Sequence, residues 1–193
     1  MDITTEVIKE LRDKTGISVM QCKKALEEAN GDIAQAEVIL KKRSSAAAEK
    51  KSDRELGAGT IGSYIHEGAV GSMVLLSCET DFVAKNPEFE ALARDIAMQV
   101  AATDPKYISS DDISSEAKDA AVEVFKKEIA DKPADMQEKI MEGKLSSYFQ
   151  DQVLLEQPFI KDDSKSVKAL LDEATQKFGE RAEISNFARL SAR

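Results

Sequence analysis

The 193-residue chain has no tryptophan, one histidine and two cysteines. Aromatic residues make up only 5% of it, so a core must be built from aliphatic side chains and alanine, which points to helices. Cys22 and Cys78 are far apart and show no CxxC spacing. They exclude a disulfide framework and fall short of a zinc site. Both sit among apolar residues, so inert buried thiols in a reducing compartment are expected. The single histidine, His66, is a poor general base without an orienting partner, and no nucleophile motif surrounds it. A structural or partner-contacting role fits it better. The sequence has no Walker A loop, no Rossmann glycine pattern and no metal-ligand cluster. Gly57-Ala58-Gly59-Thr60 is too short for a phosphate loop and lacks the following lysine. The carboxylate pairs Asp111-Asp112 and Asp162-Asp163 read as turn or helix caps. The expectation is therefore a protein that works by binding, not an enzyme, with no cofactor and no metal.

Basic residues are outnumbered, 27 Lys and Arg against 36 Asp and Glu, for a formal charge of −9. That balance suits a soluble protein and argues against broad nucleic-acid binding, which needs a basic face. Lys23-Lys24 and Lys41-Lys42-Arg43 concentrate what positive charge there is. Solvated helix faces account for both. The competing reading is RNA association, which would weaken steeply with salt. The N-terminal residues lack a basic segment followed by an apolar run, and no stretch approaches the length of a transmembrane helix. A cytoplasmic location without membrane contact is the expectation.

Hydrophobic residues at 42% suffice for a packed core. The chain could hold one domain or two small ones. Residues 1–43 read as a three-helix bundle. Gly16 breaks the first helix, Ser18 and Gln21 fit a capping box for the second, and Asn30-Gly31 stop it. Asp32 caps the third. Residues 44–54 are rich in Ala, Ser and Lys and lack large apolar residues, so they read as a helix tail running into a flexible linker. Residues 55–193 read as an α+β core. Ile61–Ile65 and Ser72–Cys78 form a hairpin about turn glycines. Residues 88–103 form the clearest helix, with small alanines on its apolar stripe that allow close approach to a sheet. Further helices are expected over 115–130, 134–142, closed by Gly143, 145–154 and 166–178. A break at Lys132-Pro133 and a polar loop over 155–165 separate them. A last strand spans Glu183–Leu190, its inward face not evident. The sum is a helical bundle followed by a small antiparallel three-stranded sheet packed with helices. Such a sheet needs cover on its open side, supplied either by a second copy or by a helix of the same chain.

The chain is organised around Thr80-Asp81-Phe82-Val83. This stretch joins a buried strand, Val74–Glu79, to a helix start in which Asn86 suits the N-cap, Pro87 the first turn and Glu88 the helix dipole. A charge beside a large ring on such a loop has two readings. Phe82 tucks into the core while Asp81 satisfies turn amides, which pattern alone favours. Alternatively, the pair projects from a rigid scaffold to bind a partner.

Cys78-Glu79-Thr80-Asp81-Phe82-Val83-Ala84-Lys85-Asn86 closely resembles a signature of the elongation factor Ts family. Two further motifs resemble that family in the same order. One is Leu11-Arg12-Asp13-Lys14-Thr15-Gly16 with Cys22-Lys23-Lys24-Ala25-Leu26 and Asn30-Gly31-Asp32. The other is Leu154-Leu155-Glu156-Gln157-Pro158-Phe159-Ile160-Lys161-Asp162-Asp163. The order and spacing are similar to the short form of the family, with a single core subdomain. The resemblance implies a guanine nucleotide exchange factor for elongation factor Tu in translation elongation. It implies that residues 1–43 are a bundle of the ubiquitin-associated type that docks on Tu through Lys9, Arg12, Met20 and Lys23. It also implies that Thr80, Asp81, Phe82 and Val83 form an exchange wedge. In that role Phe82 enters the GTP-binding domain of Tu, and Asp81 helps disturb the magnesium and phosphate sites. Tyr64-Ile65-His66 resembles another contact region. A homodimer giving a two-fold Tu–Ts heterotetramer, without direct nucleotide binding, is implied as well. Val19, Gln21, Ser185-Asn186 and Arg181-Ala182-Glu183 depart from the family's usual residues. An adaptor built on the N-terminal bundle is the alternative function, and it requires residues 1–43 to bind a partner without the core.

Overall fold

Apolar side chains recur at helical spacing through the first forty positions, and the computed structural model of the chain, which describes residues 3–129 and 133–192, turns them into three helices. They are α1 (Thr5–Thr15), α2 (Val19–Glu28) and α3 (Ile33–Glu49). Thr4, Ser18 and Asp32 cap them, each side chain accepting a backbone N–H of the first turn. Gly16 at φ 67° ends α1, and Asn30 and Gly31 at φ 52° and 81° carry the chain from α2 to α3. Leu11, Cys22, Leu26, Ala36 and Leu40 form the centre of this bundle.

The remaining chain forms β1 (Ala58–His66), β2 (Val70–Cys78), the single turn α4 (Asp81–Ala84) and α5 (Pro87–Thr103). It continues through α6 (Ser115–Ile129), α7 (Ala134–Gln150), β3 (Pro158–Phe159), β4 (Asp162–Ser166), α8 (Val167–Phe178) and β5 (Glu183–Ser191). β1, β2 and β5 make an antiparallel three-stranded sheet with β2 at the centre. The α+β class and the sheet expected from the sequence are therefore present. Strand alternation sends Val74, Leu76 and Cys78 inward against Phe89, Ala93, Ile96 and Val100 of α5.

Four local features bear on the expectations. First, residues 44–54 begin as the expected helix tail, with α3 continuing to Glu49 before turns lead to Arg54. The small residues there serve close packing. Ser44 is buried and hydrogen-bonds Gln176 of α8, while Ser45 Oγ donates to Asp172 Oδ2 at 2.9 Å. Second, α7 runs unbroken through Gly143. A mid-helix glycine costs only about 1 kcal/mol, and contacts with α6, including an edge-to-face pair of Phe125 and Tyr148, outweigh it. The break expected at Lys132 lies outside the described residues. Third, residues 155–165 are not a plain loop but a short 3-10 turn and the β3–β4 hairpin. Buried Gln99 organises them, accepting the Ile160 N–H at 2.8 Å and donating to Gln157 Oε1 and to the Pro158 carbonyl. Fourth, β5 does not alternate simply. A bulge opposite Leu75 and Leu76 sets Ser185 aside, so Ile184 and Phe187 both reach the core side.

α5 approaches β1 so closely that a Cβ on Gly62 would lie 2.1 Å from the Ala93 carbonyl carbon. No side-chain rotation relieves a clash with backbone. Gly62→Ala should therefore destabilise the protein by about 1–3 kcal/mol or more, read as a lower denaturation midpoint in urea. The midpoint of a Gly143→Ala control should hold or rise, since open space surrounds that position.

Candidate partner-binding site

β2 ends at Cys78 and α5 starts at Pro87, and the connection between them contains the single turn α4. Its four residues divide sharply. Val83 and Ala84 are buried and join the main core, whereas Phe82 is 84% exposed. Val83 lies beneath the surface of the turn, since a helical turn places residues 81 and 82 outward when 83 and 84 point in. Its part is to anchor the turn. The core position that pattern alone favoured for Phe82 does not occur.

The turn is held from outside as well as from beneath. Thr80 donates its backbone N–H to Glu180 Oε2 at 3.0 Å and its hydroxyl to Glu180 Oε1 at 2.6 Å. The Arg181 N–H donates to Glu79 Oε1 at 2.7 Å, and the Arg54 guanidinium donates to the same carboxylate. The Arg181 amide, with Arg54 beside it, holds the Glu79 carboxyl below its ordinary pKa. Burial, reinforced by the nearby Glu180 charge, pushes the Cys78 thiol up, so it stays protonated and donates to the Thr80 carbonyl at 3.2 Å. Asp81 pairs with Lys85 at 2.7 Å. That hydrogen bond and charge lower the Asp81 pKa and raise that of Lys85. Both side chains are exposed, so the pair contributes little to stability.

On the bundle, Lys9, Arg12, Met20 and Lys23 are all exposed. Lys23 faces Glu27 across a turn at 3.8 Å, and Arg43 pairs with Glu28, so acidic neighbours offset part of the basic runs. The bundle approaches the wedge end of the core through Lys177, which pairs with Glu88 in the first turn of α5 and lies beside Gly16. His66 is elsewhere. It sits at the hairpin end of β1, opposite the Ala58–Cys78 end from which the wedge emerges, roughly 25 Å away for a strand of this length. Its Nδ1 lies 3.0 Å from the Tyr64 hydroxyl.

Sequence reasoning did not find Glu180, Arg181 or Arg54. They lie far from the wedge in the chain, and no spacing rule connects them. Among the described residues no group of three or more His, Cys, Asp or Glu side chains is gathered to hold a metal ion, and no helix is long and apolar enough to cross a membrane.

The chain matches the family profile described as Elongation factor TS over residues 7–192. It belongs to the elongation factor Ts family. An elongation factor Ts of Thermodesulfovibrio yellowstonii is 48% identical over 190 residues, covering 98% of this chain and 96% of the relative. That of Thermotoga maritima is 45% identical with the same coverage. That of Carboxydothermus hydrogenoformans is 46% identical, covering 97% of this chain and 88% of its own. Membership places this chain among translation elongation factors. Phe82, 84% exposed on its braced turn, is the most exposed large apolar side chain among the described residues.

If Phe82 supported the fold, removing its ring would cost about 3–5 kcal/mol. Its exposure gives the opposite expectation. Phe82→Ala should stay within about 0.5 kcal/mol of wild type in thermal melting. Val83→Ala, by contrast, should lower the melting temperature measurably, because it opens the core beneath the turn.

Proposed function

We propose that this protein is a guanine nucleotide exchange factor for elongation factor Tu, acting by binding and without covalent chemistry. The observation that carries the reading is a large apolar ring, 84% exposed, on a turn tied down on both flanks. Exposure of such a ring costs the free protein nothing in unsatisfied bonds and offers a partner a rigid apolar anchor. Phe82 enters the GTP-binding domain of Tu, and Asp81 beside it disturbs the magnesium and phosphate sites. Thr80 shapes the approach.

The energetics require more than the ring. Each tenfold acceleration of nucleotide release needs about 1.4 kcal/mol off the barrier. Burying one phenylalanine supplies about 1.5–3 kcal/mol. A broad second contact must therefore hold Tu in its nucleotide-free form, and the bundle surface bearing Lys9, Arg12, Met20 and Lys23 serves as that contact. By linkage, a partner that weakens nucleotide binding is itself weakened by nucleotide to the same degree, so the factor needs no contact with the nucleotide. His66, remote from the wedge, belongs to a separate patch of the same interface.

A second copy of the chain covers the bare face of the sheet. Ile61, Ile65, Met73, Leu75 and Leu190 are all exposed on the side opposite α5, and a second copy gives them apolar cover. Cys22 and Cys78 are both buried, so the association is non-covalent. The assembly is a two-fold dimer carrying two Tu molecules, at work in the cytoplasm.

Release of labelled GDP from purified Tu tests the reading. The wild-type chain should accelerate release, Phe82→Ala should slow it by at least tenfold at equal protein, and Asp81→Ala should slow it less. Binding to Tu should weaken less than exchange in both variants. No acceleration by the wild-type chain would refute the proposal.

Sedimentation under reducing conditions tests the dimer. The wild-type chain should sediment as a dimer at micromolar concentration. Ile65→Lys with Leu190→Lys should sediment as a folded monomer, because two exposed side chains change and no core position does.

A further inference from the structure

We infer that Glu180 is a positioning residue for the wedge: its carboxylate grips Thr80 and thereby sets the direction in which Phe82 projects. The inference rests on the exchange reading above and names a residue that acts on Phe82 from outside the wedge.

An isolated turn as short as Asp81–Ala84 cannot hold its own shape, because fixing the first helical turn costs more than its hydrogen bonds return. Val83 and Ala84 pin its inner side to the core. A pivot about that line remains, and it would swing Phe82. Thr80 stands at the N-cap with extended backbone, φ −127° and ψ 155°, yet its hydroxyl makes no cap hydrogen bond to the turn. That hydroxyl goes to Glu180 instead, together with the Thr80 N–H. Both Thr80 donors are thus spent on one carboxylate 100 residues away. Hydrogen bonds to an ionised acceptor are the stronger kind.

The grip is reciprocal. Glu180 accepts the Thr80 N–H, and Glu79 accepts the Arg181 N–H. Each segment therefore offers a carboxylate to the other's backbone, which fixes position and twist together. The far end is firm. Glu180 follows Gly179, whose left-handed φ of 76° closes α8 and turns the chain toward Thr80. α8 is locked to α5 by the edge-to-face pair of Phe178 and Phe89, with centroids 5.4 Å apart. Both ends of the brace thus belong to the same packed body. In this role Glu180 acts on Phe82 through Thr80.

The test combines the free protein with the exchange reaction. In the protein alone, Glu180→Ala should speed hydrogen exchange of the Thr80 amide at least tenfold and leave the α5 amides unchanged. In GDP release from Tu, it should lower the maximal rate roughly tenfold, the scale of one charge-assisted hydrogen bond, with half-saturation within about twofold. Glu180→Gln, which keeps one acceptor oxygen, should recover part of the rate. In a Phe82→Ala background, Glu180→Ala should add nothing, because the residue it aims is gone. Unchanged Thr80 exchange would show that the brace is not formed. Faster amide exchange with an unchanged maximal rate would overturn the positioning role, as would an equal loss in the Phe82→Ala background. A wild-type chain inactive on Tu overturns the exchange reading, and the role in aiming a wedge goes with it. An active wild type with an equally active Glu180→Ala overturns the role of Glu180 alone.

Discussion

The contact between α5 and β1 at Gly62 and Ala93 is the constraint on which the rest depends. With no Cβ on Gly62, the helix backbone rests almost directly on the strand. That approach lets Ala93, Ile96, Ala97 and Val100 meet Val74 and Leu76 without a gap. It also fixes where β2 ends and where α5 begins. The connection between them has both ends clamped, and its exposed residues hold a definite place although they bury little themselves.

Exposure of Phe82 is stable for that reason. Isolated apolar side chains on a surface are ordinary, but a ring this open on a mobile loop would collapse onto the nearest apolar surface. Here Val83 and Ala84 hold the turn from beneath, and Glu180, Glu79 and Arg54 hold it from the side. Burial does the gross placement and charge-assisted hydrogen bonds the fine placement. Any partner that accepts the ring therefore meets a surface whose ordering entropy has already been lost in folding.

The two faces of the sheet show the same economy. One face is closed by α5. The other carries Ile61, Ile65, Met73 and Leu75 in the open, because strand alternation that sends Val74 and Leu76 inward must send Met73 and Leu75 outward. β5 extends the apolar surface with Leu190. The bundle, meanwhile, joins the core along a polar seam in which Ser44, Ser45, Asp172 and Gln176 meet. Small side chains at that seam allow α3 and α8 to lie close.

Much of this was written locally. The caps at Ser18, Asp32 and Asn86, the stops at Gly16 and Gly179, and the helical stripe of α5 were legible because each depends on residues a few positions apart. The family motif singled out the Thr80–Phe82 stretch, whereas pattern alone pointed Phe82 into the core, where it does not lie. Other features could not be read. The continuation of α7 past Gly143 depended on packing partners that local propensity does not contain. The inward face of β5 turned on one bulge at Ser185. The brace on Thr80 depended on bringing residues 79–80 beside 180–181, which hydrophobic burial of α5 and α8 achieves and no short-range pattern records. The sequence by itself determined most of the helices and the strands of the main sheet, since caps and periodicity act over one or two turns. Only the tertiary structure decided which way Phe82 points, because that direction is set by side chains from segments that share no spacing and meet only when the core closes.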